Sequence, residues 1–378
     1  MRKGLLIAGA VVAAAVIYLF AWPVPVEPVA WSAPESAGYG GAHARNERLA
    51  RVQLIKVTPE VGPEHIAFGP DGKLYTAMLS GAVLRMNADG SSIETVAQTG
   101  GRPLGLDFDA NGRLIIADAL RGLLALETDG SVRVLTNSVG GDPIRYADAV
   151  MVAADGRMVF TDASQRVSPQ EYGTFDAALF DIIEQSCTGR VLEFDPAAGS
   201  TRIVATGLCF PNGVALTADE QSLIVAETGT YRVLKIDRGS NAIDAGQAVR
   251  DGAAGVVVLL DNLPGFPDNV TRGADGRFWT GFTKPRSAAI DGMSGKPWLR
   301  SLTLRLPRTL WPVPAAYGHV IAFDESGQVL LDLQDPTGKL PETSGATERD
   351  GVLYVQSLHA DAFGVLPLKT AGVTPRYP

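Results

Sequence analysis

Short apolar runs, separated by glycine, aspartate, asparagine and proline, fill the chain from about Leu49 to Leu368, and almost no window has the period of a helix. Six of these runs directly follow a short turn, as Lys73–Ala77 (KLYTA) and Arg157–Asp162 (RMVFTD) do. Another apolar stretch precedes each turn. The six turns start at Asp71, Asn111, Asp155, Asp219, Asp275 and Asp350. The pattern therefore predicts one β-hairpin that is repeated six times.

The spacing between the turns indicates how the hairpins are arranged. Successive turns start 40, 44, 64, 56 and 75 residues apart, and about 40 residues is the length of a four-stranded propeller blade. We therefore expect an all-β fold, a six-bladed β-propeller, with inserts at 164–186 and 283–317. The segment 49–57 has no hairpin turn of its own, so we expect it to close the ring by adding a strand to the last blade. A barrel or a sandwich could use similar strands, but neither explains six copies.

The first residues carry a separate signal. Arg2 and Lys3 precede an uncharged apolar run from Gly4 to Trp22, whose 19 residues are enough to span roughly 30 Å of hydrocarbon as a helix. Positive charge before the run, and none just after it, predicts a cytoplasmic N-terminus and an exported chain, at the periplasmic face of the inner membrane if the host is bacterial. A cleaved signal peptide is the alternative, although no Ala-x-Ala site follows the run.

These signals divide the chain into a transmembrane anchor or uncleaved signal at 1–22, a Pro- and Gly-rich linker at 23–48, and a propeller at 49–378. The formal net charge of −8 and the pI near 5.1 provide no basic surface, so nucleic acid is not expected as a partner. The only two cysteines, Cys187 and Cys209, could form a disulfide in an exported chain, or could both be small buried apolar side chains.

Polar residues recur seven positions before the turns. In turn order, the residues at this position are Glu64, Leu104, Asp148, Asn212, Asp268 and Thr343. Single polar residues before turns are ordinary loop chemistry, but Leu104 and Thr343 show that this position does not require one. In a propeller the same position of each blade faces the axis, so three carboxylates and a carboxamide should meet there. Such an oxygen-rich set suits Ca²⁺ best, with Mg²⁺ or Mn²⁺ as alternatives, and disfavours Zn²⁺.

Several longer motifs resemble those of the strictosidine synthase-like family, which is similar to the gluconolactonases of the senescence-marker group and to the paraoxonases. These motifs are Gly101–Leu106 (GRPLGL), Gly141–Tyr146 (GDPIRY), Phe210–Thr217 (FPNGVALT), Val225–Thr228 (VAET), Tyr231–Leu234 (YRVL), Leu263–Val270 (LPGFPDNV) and Asp275–Trp279 (DGRFW). The likeness extends from Gly62 to Leu368. It implies a six-bladed propeller with Ca²⁺ or a related divalent ion in its central tunnel.

The resemblance also implies individual roles. The family's metal ligands fall on Glu64, Asn212 and Asp268, with Asn269 following as in the paraoxonases. Asp148 stands where the family usually has asparagine, which keeps an oxygen ligand and adds negative charge. Ser344 stands where the plant enzymes that condense an amine with an aldehyde have a glutamate, which argues against that activity.

The expected function is a divalent-metal-dependent hydrolase of lactones or esters, because a tunnel ion can polarise a carbonyl and bind a water of lowered pKa. Asp268, by family analogy, would be the general base. His359 could meet the substrate at the tunnel mouth, whereas His65 should point away from Glu64. The alternatives are a noncatalytic, metal-stabilised propeller that acts as a binding module and, less favoured, a synthase-type lyase. The expected partners are the small-molecule substrate and the membrane, and the sequence identifies no protein partner.

Overall fold

The computed structural model describes residues 2–372, so Met1 of the predicted anchor and 373–378 of the predicted propeller lie outside the described residues. It begins with the helix α1 (Arg2–Ala21), none of whose side chains is buried. By length and composition α1 could cross a membrane, with a mean hydropathy of 2.5. Its single Arg–Lys pair stands at the N-terminal end.

Six sheets follow, each with its strands in hairpin order, as the repeated pattern predicts. We number them blade 1 to blade 6 and give their strands from the inside outwards. Blade 1 contains Ile66–Phe68, Leu74–Ala77, Ala82–Met86 and Glu94–Gln98. Blade 2 contains Pro103–Phe108, Leu114–Asp118, Gly122–Leu126 and Val132–Thr136. Blade 3 contains Ala147–Val152, Met158–Asp162, Gly189–Asp195, Ser200–Leu208 and a fifth, parallel strand, Ile243–Asp244.

The remaining blades complete the ring. Blade 4 contains Pro211–Leu216, Ser222–Glu227, Arg232–Asp237 and Val256–Leu260. Blade 5 contains Gly265–Arg272, Phe278–Pro285, Gly318–Phe323 and Val329–Asp335. Blade 6 contains Ala346–Arg349, Val352–Val355, Ala362–Pro367 and, from the other end of the propeller sequence, Gln53–Lys56. A two-stranded ribbon, Ser138–Val139 with Asp142–Pro143, lies outside these sheets.

The N-terminal strand closes the ring, as the sequence predicts. Gln53 pairs with Val365 and Lys56 with Ala362 in an antiparallel register, so the last blade is assembled from both ends of the propeller sequence. The two ends of the propeller sequence are therefore joined within blade 6 by backbone hydrogen bonds, and the closing strand continues along the chain into blade 1.

Local turn chemistry explains why the hairpins recur. The first residue of the turn accepts a hydrogen bond from the backbone two residues on, at 3.0 Å for Asp71 and for Asp155. The next residue is left-handed, with φ of 74° at Gly72 and 83° at Gly156. This combination of an aspartate side chain and a glycine fixes a tight turn at little steric cost.

The hydrophobic core has one cluster at each junction between neighbouring blades and a further cluster beneath α2. Six such clusters follow one another around the ring, from blades 1 and 2 to blades 6 and 1. Trp279, Phe282 and Phe363 are fully buried in these clusters and therefore pack between blades. Each blade buries its faces only against its neighbours, so the propeller is stable only as a closed ring.

Helices occupy the two inserts that the spacing predicts. The first insert forms α2 (Pro169–Glu184), which starts at the capping residue Ser168 and is kinked at Gly173. The helix α3 (Ala245–Asp251) follows the fifth strand of blade 3. The second insert forms α4 (Ala288–Asp291) and α5 (Pro297–Leu304). Short 3₁₀ turns lie at Gly41–His43, Leu49–Arg51, Thr228–Thr230, Ala274–Gly276, Arg308–Leu310 and Leu368–Ala371.

The predicted linker lies against the propeller. Its Val26 side chain is buried beneath α2 and its Val29 amide donates to the Glu184 carbonyl at 2.7 Å. Farther along, Trp31 packs against Tyr231 with 6.1 Å between the ring centroids. The predicted linker therefore packs against α2 and the propeller as well as connecting α1 to the ring.

Cys187 and Cys209 form a disulfide, which decides between the two alternatives left by the sequence. The bridge joins the chain that follows α2 to the residues just before the inner strand of blade 4. It therefore ties the first insert to the ring beside the central tunnel.

Candidate metal centre

Four of the sequence-predicted ligands lie on the wall of a single cavity at the centre of the ring. Glu64, Asp148, Asn212 and Asp268 come from blades 1, 3, 4 and 5, and each is at least 96% buried. The cavity has a volume of about 80 Å³ and opens to solvent. Residues far apart in the sequence thus meet because they occupy one position of a rotational repeat.

Irregularities in the inner strands direct these side chains. The pairing register shifts between Ala147 and Val150 and between Pro211 and Val214, so Asp148 and Asn212 each lie in a β-bulge. A third bulge, between Pro267 and Val270, contains Asp268. Bulges turn a side chain out of the normal strand alternation and recur next to functional sites.

Glu64 is positioned without a bulge. It precedes the inner strand of blade 1, and its backbone amide donates to the Ala77 carbonyl at 3.3 Å, which extends the sheet by one residue. Its own carbonyl accepts hydrogen bonds from Ser344 Oγ at 2.7 Å and Asn269 Nδ2 at 3.0 Å. The Glu64 backbone is therefore held by blades 5 and 6 as well as by its own.

The electrostatics of the cavity favour a cation. Burial raises the pKa of all three carboxyl groups, and for Asp148 and Asp268 the charge of Glu64 adds to this rise. Asp148 Oδ1, Asn212 Oδ1 and Asp268 Oδ2 are buried and have no hydrogen-bond partner among residues 2–372. Unpaired buried oxygens are costly in a folded protein, and a hard divalent ion is the ligand that would satisfy three of them together. The donor set therefore fits the ion that the family resemblance implies.

Arg102 is a further site residue that the sequence reasoning missed. Its Nη2 donates to Glu64 Oε2 at 2.5 Å and its Nη1 to the Pro103 carbonyl at 3.2 Å, and both side chains of the ion pair are buried. Three carboxylates against one guanidinium leave two negative charges, which one divalent ion would neutralise. One signal in the sequence could have indicated it. Blade 2 has the apolar Leu104 at the repeated position, and the charged Arg102 lies two residues before it.

Asn269 and His65 lie beside the cavity and do not line it. Asn269 uses its amide nitrogen on the Glu64 carbonyl, so it supports a neighbouring residue, and its role as a ligand stays a prediction. The His65 Nδ1 accepts from the Leu106 amide at 3.2 Å, and burial lowers the pKa of its imidazole to about 4. His65 therefore points away from the tunnel, as expected for the residue after Glu64. Ser344, where the condensing enzymes have a glutamate, contributes only its hydroxyl.

His359 lies at the mouth of the cavity. Its Nδ1 is 2.6 Å from Glu342 Oε2, and Glu342 Oε1 is 2.8 Å from Lys284 Nζ. The Phe175 ring of α2 packs edge-on against the imidazole at 5.2 Å. His359 and Phe175 thus place a polar group and an exposed aromatic ring side by side at the entrance of the cavity.

The rest of the wall is largely apolar, and α2 contributes much of it. The apolar residues that line the cavity are Leu79, Leu104, Phe175, Ala178, Ile182, Phe210 and Leu358. Tyr146 also lines it, and its hydroxyl donates to the Thr174 carbonyl of α2 at 2.8 Å. The cavity therefore joins a charged, oxygen-rich group to a surface suited to hydrocarbon.

Comparisons with known proteins agree with the motifs. Family models match residues 41–86 (strictosidine synthase-like, N-terminal) and residues 148–236 (strictosidine synthase). The adipocyte plasma membrane-associated protein of Salmo salar is 31% identical over 378 residues, covering 93% of this chain and 86% of the relative. The protein strictosidine synthase-like 6 of Arabidopsis thaliana is 34% identical over 294 residues, covering 75% of this chain and 71% of the relative.

Solved structures share the architecture at lower identity. A gluconolactonase from Xanthomonas campestris has a TM-score of 0.57 at 18% identity, covering 85% of this chain and 90% of that chain. Regucalcin, a calcium-binding protein from Agrobacterium tumefaciens, has a TM-score of 0.56 at 13% identity, covering 83% and 92%. At such identities the likeness shows the propeller fold alone.

Proposed function

This chain belongs to the strictosidine synthase-like family, and from that membership and the chemistry of its tunnel we propose that it is a divalent-metal-dependent hydrolase of lactones or esters. The observation that carries the proposal is the group of buried, unpaired oxygens of Asp148, Asn212 and Asp268, in a cavity where three acids face one arginine. A structural core has no need of such a group, whereas a metal site does.

Glu64, Asp148, Asn212 and Asp268 would hold the ion, and their oxygen atoms favour Ca²⁺ over softer metals, with Mg²⁺ or Mn²⁺ as alternatives. When bound, such an ion supplies Lewis-acid polarisation of a carbonyl and lowers the pKa of water. The calcium-binding regucalcin has the same fold, which supports this choice of ion.

The chain's own residues would perform the proton transfers. With one carboxylate oxygen on the ion, Asp268 would use the other to accept a proton, and burial, which raises the pKa of this carboxyl group, makes it a stronger base than an exposed one. Arg102 neutralises Glu64 and so limits the repulsion among the three acids. At the mouth, Glu342 holds His359 through Nδ1, which leaves Nε2 to exchange a proton with the substrate.

The walls indicate the substrate class. They are apolar over much of their area, and the one arginine among the lining residues is already paired with Glu64. We therefore propose a neutral lactone or ester with a hydrocarbon portion that contacts Ile182 and Phe210. The gluconolactonase with this fold supports a lactone.

The helix α1 suggests where the protein acts. We propose that it anchors the chain in a membrane with the propeller on the exported side, because Arg2 and Lys3 precede the apolar run and the two cysteines are bridged. The salmon relative is named as a plasma membrane-associated protein, which agrees with an anchor.

A second candidate is a noncatalytic propeller that an ion only locks together. It is favoured by the origin of the four oxygen ligands, because each comes from a different blade and an ion would cross-link them.

One experiment separates the two candidates. The full chain in detergent is assayed on a panel of γ-lactones, δ-lactones and aryl esters, with chelator and after return of Ca²⁺, while melting is followed in parallel. Hydrolysis should disappear with chelator and return with Ca²⁺. A chelator effect on melting without any turnover would support the second candidate.

The role of Asp268 is tested with Asp268→Asn at saturating Ca²⁺, with metal content measured. Turnover should fall by about 10²–10⁴-fold, as for loss of a general base. The matched control is Asp107→Asn, because Asp107 is a carboxylate in the inner strand of blade 2 that bonds backbone amides outside the cavity. Retained turnover in the metal-loaded Asp268→Asn variant would remove the proposed role.

A further inference from the structure

A second cluster of metal-binding side chains lies on the outside of blade 5. Asp332 is in the outermost strand of that blade, His319 in the strand next to it, and His43 in the N-terminal segment. We propose that these three residues bind a divalent transition-metal ion, best represented by Zn²⁺, that fastens the N-terminal segment to the propeller. The tunnel is lined from the inner strands, so the two sites are separate.

The geometry is close to that of a metal site. His43 Nδ1 is 2.8 Å and His319 Nε2 is 2.9 Å from the same atom, Asp332 Oδ2. The three ligand atoms all lie within 4.8 Å of one another. Zn²⁺ ligands at 2.0–2.2 Å in a tetrahedron are roughly 3.3 Å apart, so each histidine nitrogen would move only about half an ångström away from Asp332 Oδ2.

A second layer of hydrogen bonds orients the carboxylate. Asp332 Oδ1 accepts from Asn46 Nδ2 at 3.0 Å and from Gln334 Nε2 at 2.5 Å. Gln334 Oε1 in turn accepts from the Tyr317 hydroxyl at 2.7 Å. The outer oxygen of Asp332 is therefore occupied, and Oδ2 is directed at the two histidines. Metal-binding carboxylates and histidines are held in this way in known sites.

Two further polar atoms lie unpaired beside the proposed ligands. His319 is 99% buried, which shields its imidazole from bulk water. Its Nδ1 and the hydroxyl of the adjacent Tyr39 are buried and have no partner within the part of the chain that the structure describes. The Tyr39 hydroxyl is thus available to a water on the fourth position.

The ligand chemistry separates this site from the tunnel. Two imidazoles and one carboxylate select Zn²⁺ and its transition-metal neighbours, whereas the tunnel offers oxygen alone and selects Ca²⁺. The consequence of binding is also different. His43 lies between α1 and the first propeller strand, so an ion here would fix the path by which the chain leaves the membrane anchor.

The first test measures metal content in the full chain in detergent, with the tunnel kept saturated by Ca²⁺. The chelator-treated protein is titrated with Zn²⁺, and Co²⁺ replaces it for visible absorption of nitrogen-ligated metal. We expect one Zn²⁺ per chain in the wild type, and at least a tenfold weaker affinity in His43→Gln and His319→Gln. His359→Gln is the control, because it removes another of the four histidines and leaves the cluster intact.

His319 is buried and its variant could fail to fold, so the partly exposed His43 carries the test on its own. No Zn²⁺ binding to the wild type, or equal binding to His43→Gln, would overturn the site.

The second test asks whether the ion fastens the segment. Trypsin should cleave after the exposed Arg45 more slowly when Zn²⁺ is present, in the wild type and in His359→Gln but not in His43→Gln. Zn²⁺ binding without this protection would overturn the fastening role.

Discussion

A single residue position, repeated in each blade, determines what the tunnel can bind. Asp148, Asn212 and Asp268 occupy bulges, and each leaves a buried oxygen that no described residue hydrogen-bonds. Leu104 occupies the corresponding bulge of blade 2, where an apolar side chain creates no such demand. The charge of the site is thus set by a few substitutions at equivalent positions, and each can be changed without altering the strands.

Asp148→Asn should have opposite effects on the stability of the metal-free protein and on the affinity for Ca²⁺. The substitution removes one of three buried acids, so the metal-free protein should melt at a higher temperature than the wild type. Ca²⁺ should bind more weakly, on the order of tenfold or about 1.4 kcal/mol, because one charged ligand becomes neutral. Thermal melts with chelator and with increasing Ca²⁺ measure both effects. With Asp107→Asn as the control, an unchanged Ca²⁺ response in Asp148→Asn would contradict the ligand role.

Arg102→Gln should be the most destabilising change among the cavity residues, because it leaves the Glu64 carboxylate buried and unpaired. Breaking one side of a buried pair costs about 3–5 kcal/mol. Arg113→Gln is a matched control, since Arg113 forms a more exposed pair with Asp109 at 2.8 Å and should cost about 1 kcal/mol or less. Urea unfolding of metal-free protein measures both values. Equal losses in the two variants would show that the Arg102–Glu64 pair is not energetically special.

Residues in register could be predicted from the sequence and residues out of register could not. Glu64, Asp148, Asn212 and Asp268 share a fixed distance to the following turn, so their convergence follows from the repeat. Arg102 reaches Glu64 of the neighbouring blade from outside this register, and only the distance between two blades reveals it.

The strands and α2 differ in how visible they are in the sequence. The strands repeat one pattern six times, so each copy supports the others. The helix α2 occurs once, is interrupted at Gly173 where φ is 74°, and buries its apolar side chains against the tunnel mouth and the predicted linker. No periodic signal of its own was strong enough to predict it, although the spacing correctly predicted an insert.

The stability of α2 should depend on pH through Asp181. Burial raises the pKa of this carboxyl group to about 7, against 3.8 for an exposed aspartate, and a hydrogen bond from Ser164 offsets only part of the rise. Between about pH 4 and pH 7 the folded protein keeps this proton and the unfolded chain loses it. The free energy of unfolding should therefore fall as the pH rises through this range and then level off.

Asp181→Asn should remove this decrease in the free energy of unfolding with rising pH. The variant should match the wild type near pH 4 and exceed it at pH 8, by a few kcal/mol at most. Urea unfolding of both proteins at pH 4.5 and pH 8 provides the comparison, in which contributions from other acids cancel. A difference between variant and wild type that is the same at both pH values would show that Asp181 does not keep its proton in the folded state.

At the scale of the whole molecule, ring closure and the proposed membrane anchor share one stretch of chain. The strand Gln53–Lys56 completes blade 6, and the segment before it runs along the propeller towards α1. In the second insert, Arg305 donates to the Trp22 carbonyl at 2.6 Å and to the Leu19 carbonyl at 3.1 Å, at the end of α1. The helix α1 therefore leaves the ring beside α5, and with α1 as the proposed membrane anchor its orientation would decide on which side of the membrane the tunnel lies.

Two independent features indicate that side. Arg2 and Lys3 favour a cytoplasmic N-terminus, which places the propeller across the membrane. The disulfide between Cys187 and Cys209 requires an oxidising compartment, and the cytosol is not one.

The test uses cells whose outer barrier has been opened while the membrane that would hold α1 stays intact. Added protease should digest the propeller, and thiol reagents should not label the two cysteines without prior reduction. Arg2→Glu combined with Lys3→Glu should reduce the digested fraction, because it removes the charge that sets the orientation. A propeller that becomes accessible only after the cytoplasm is opened, with thiols that react directly, would contradict the exported orientation while leaving the chemistry of the tunnel unaffected.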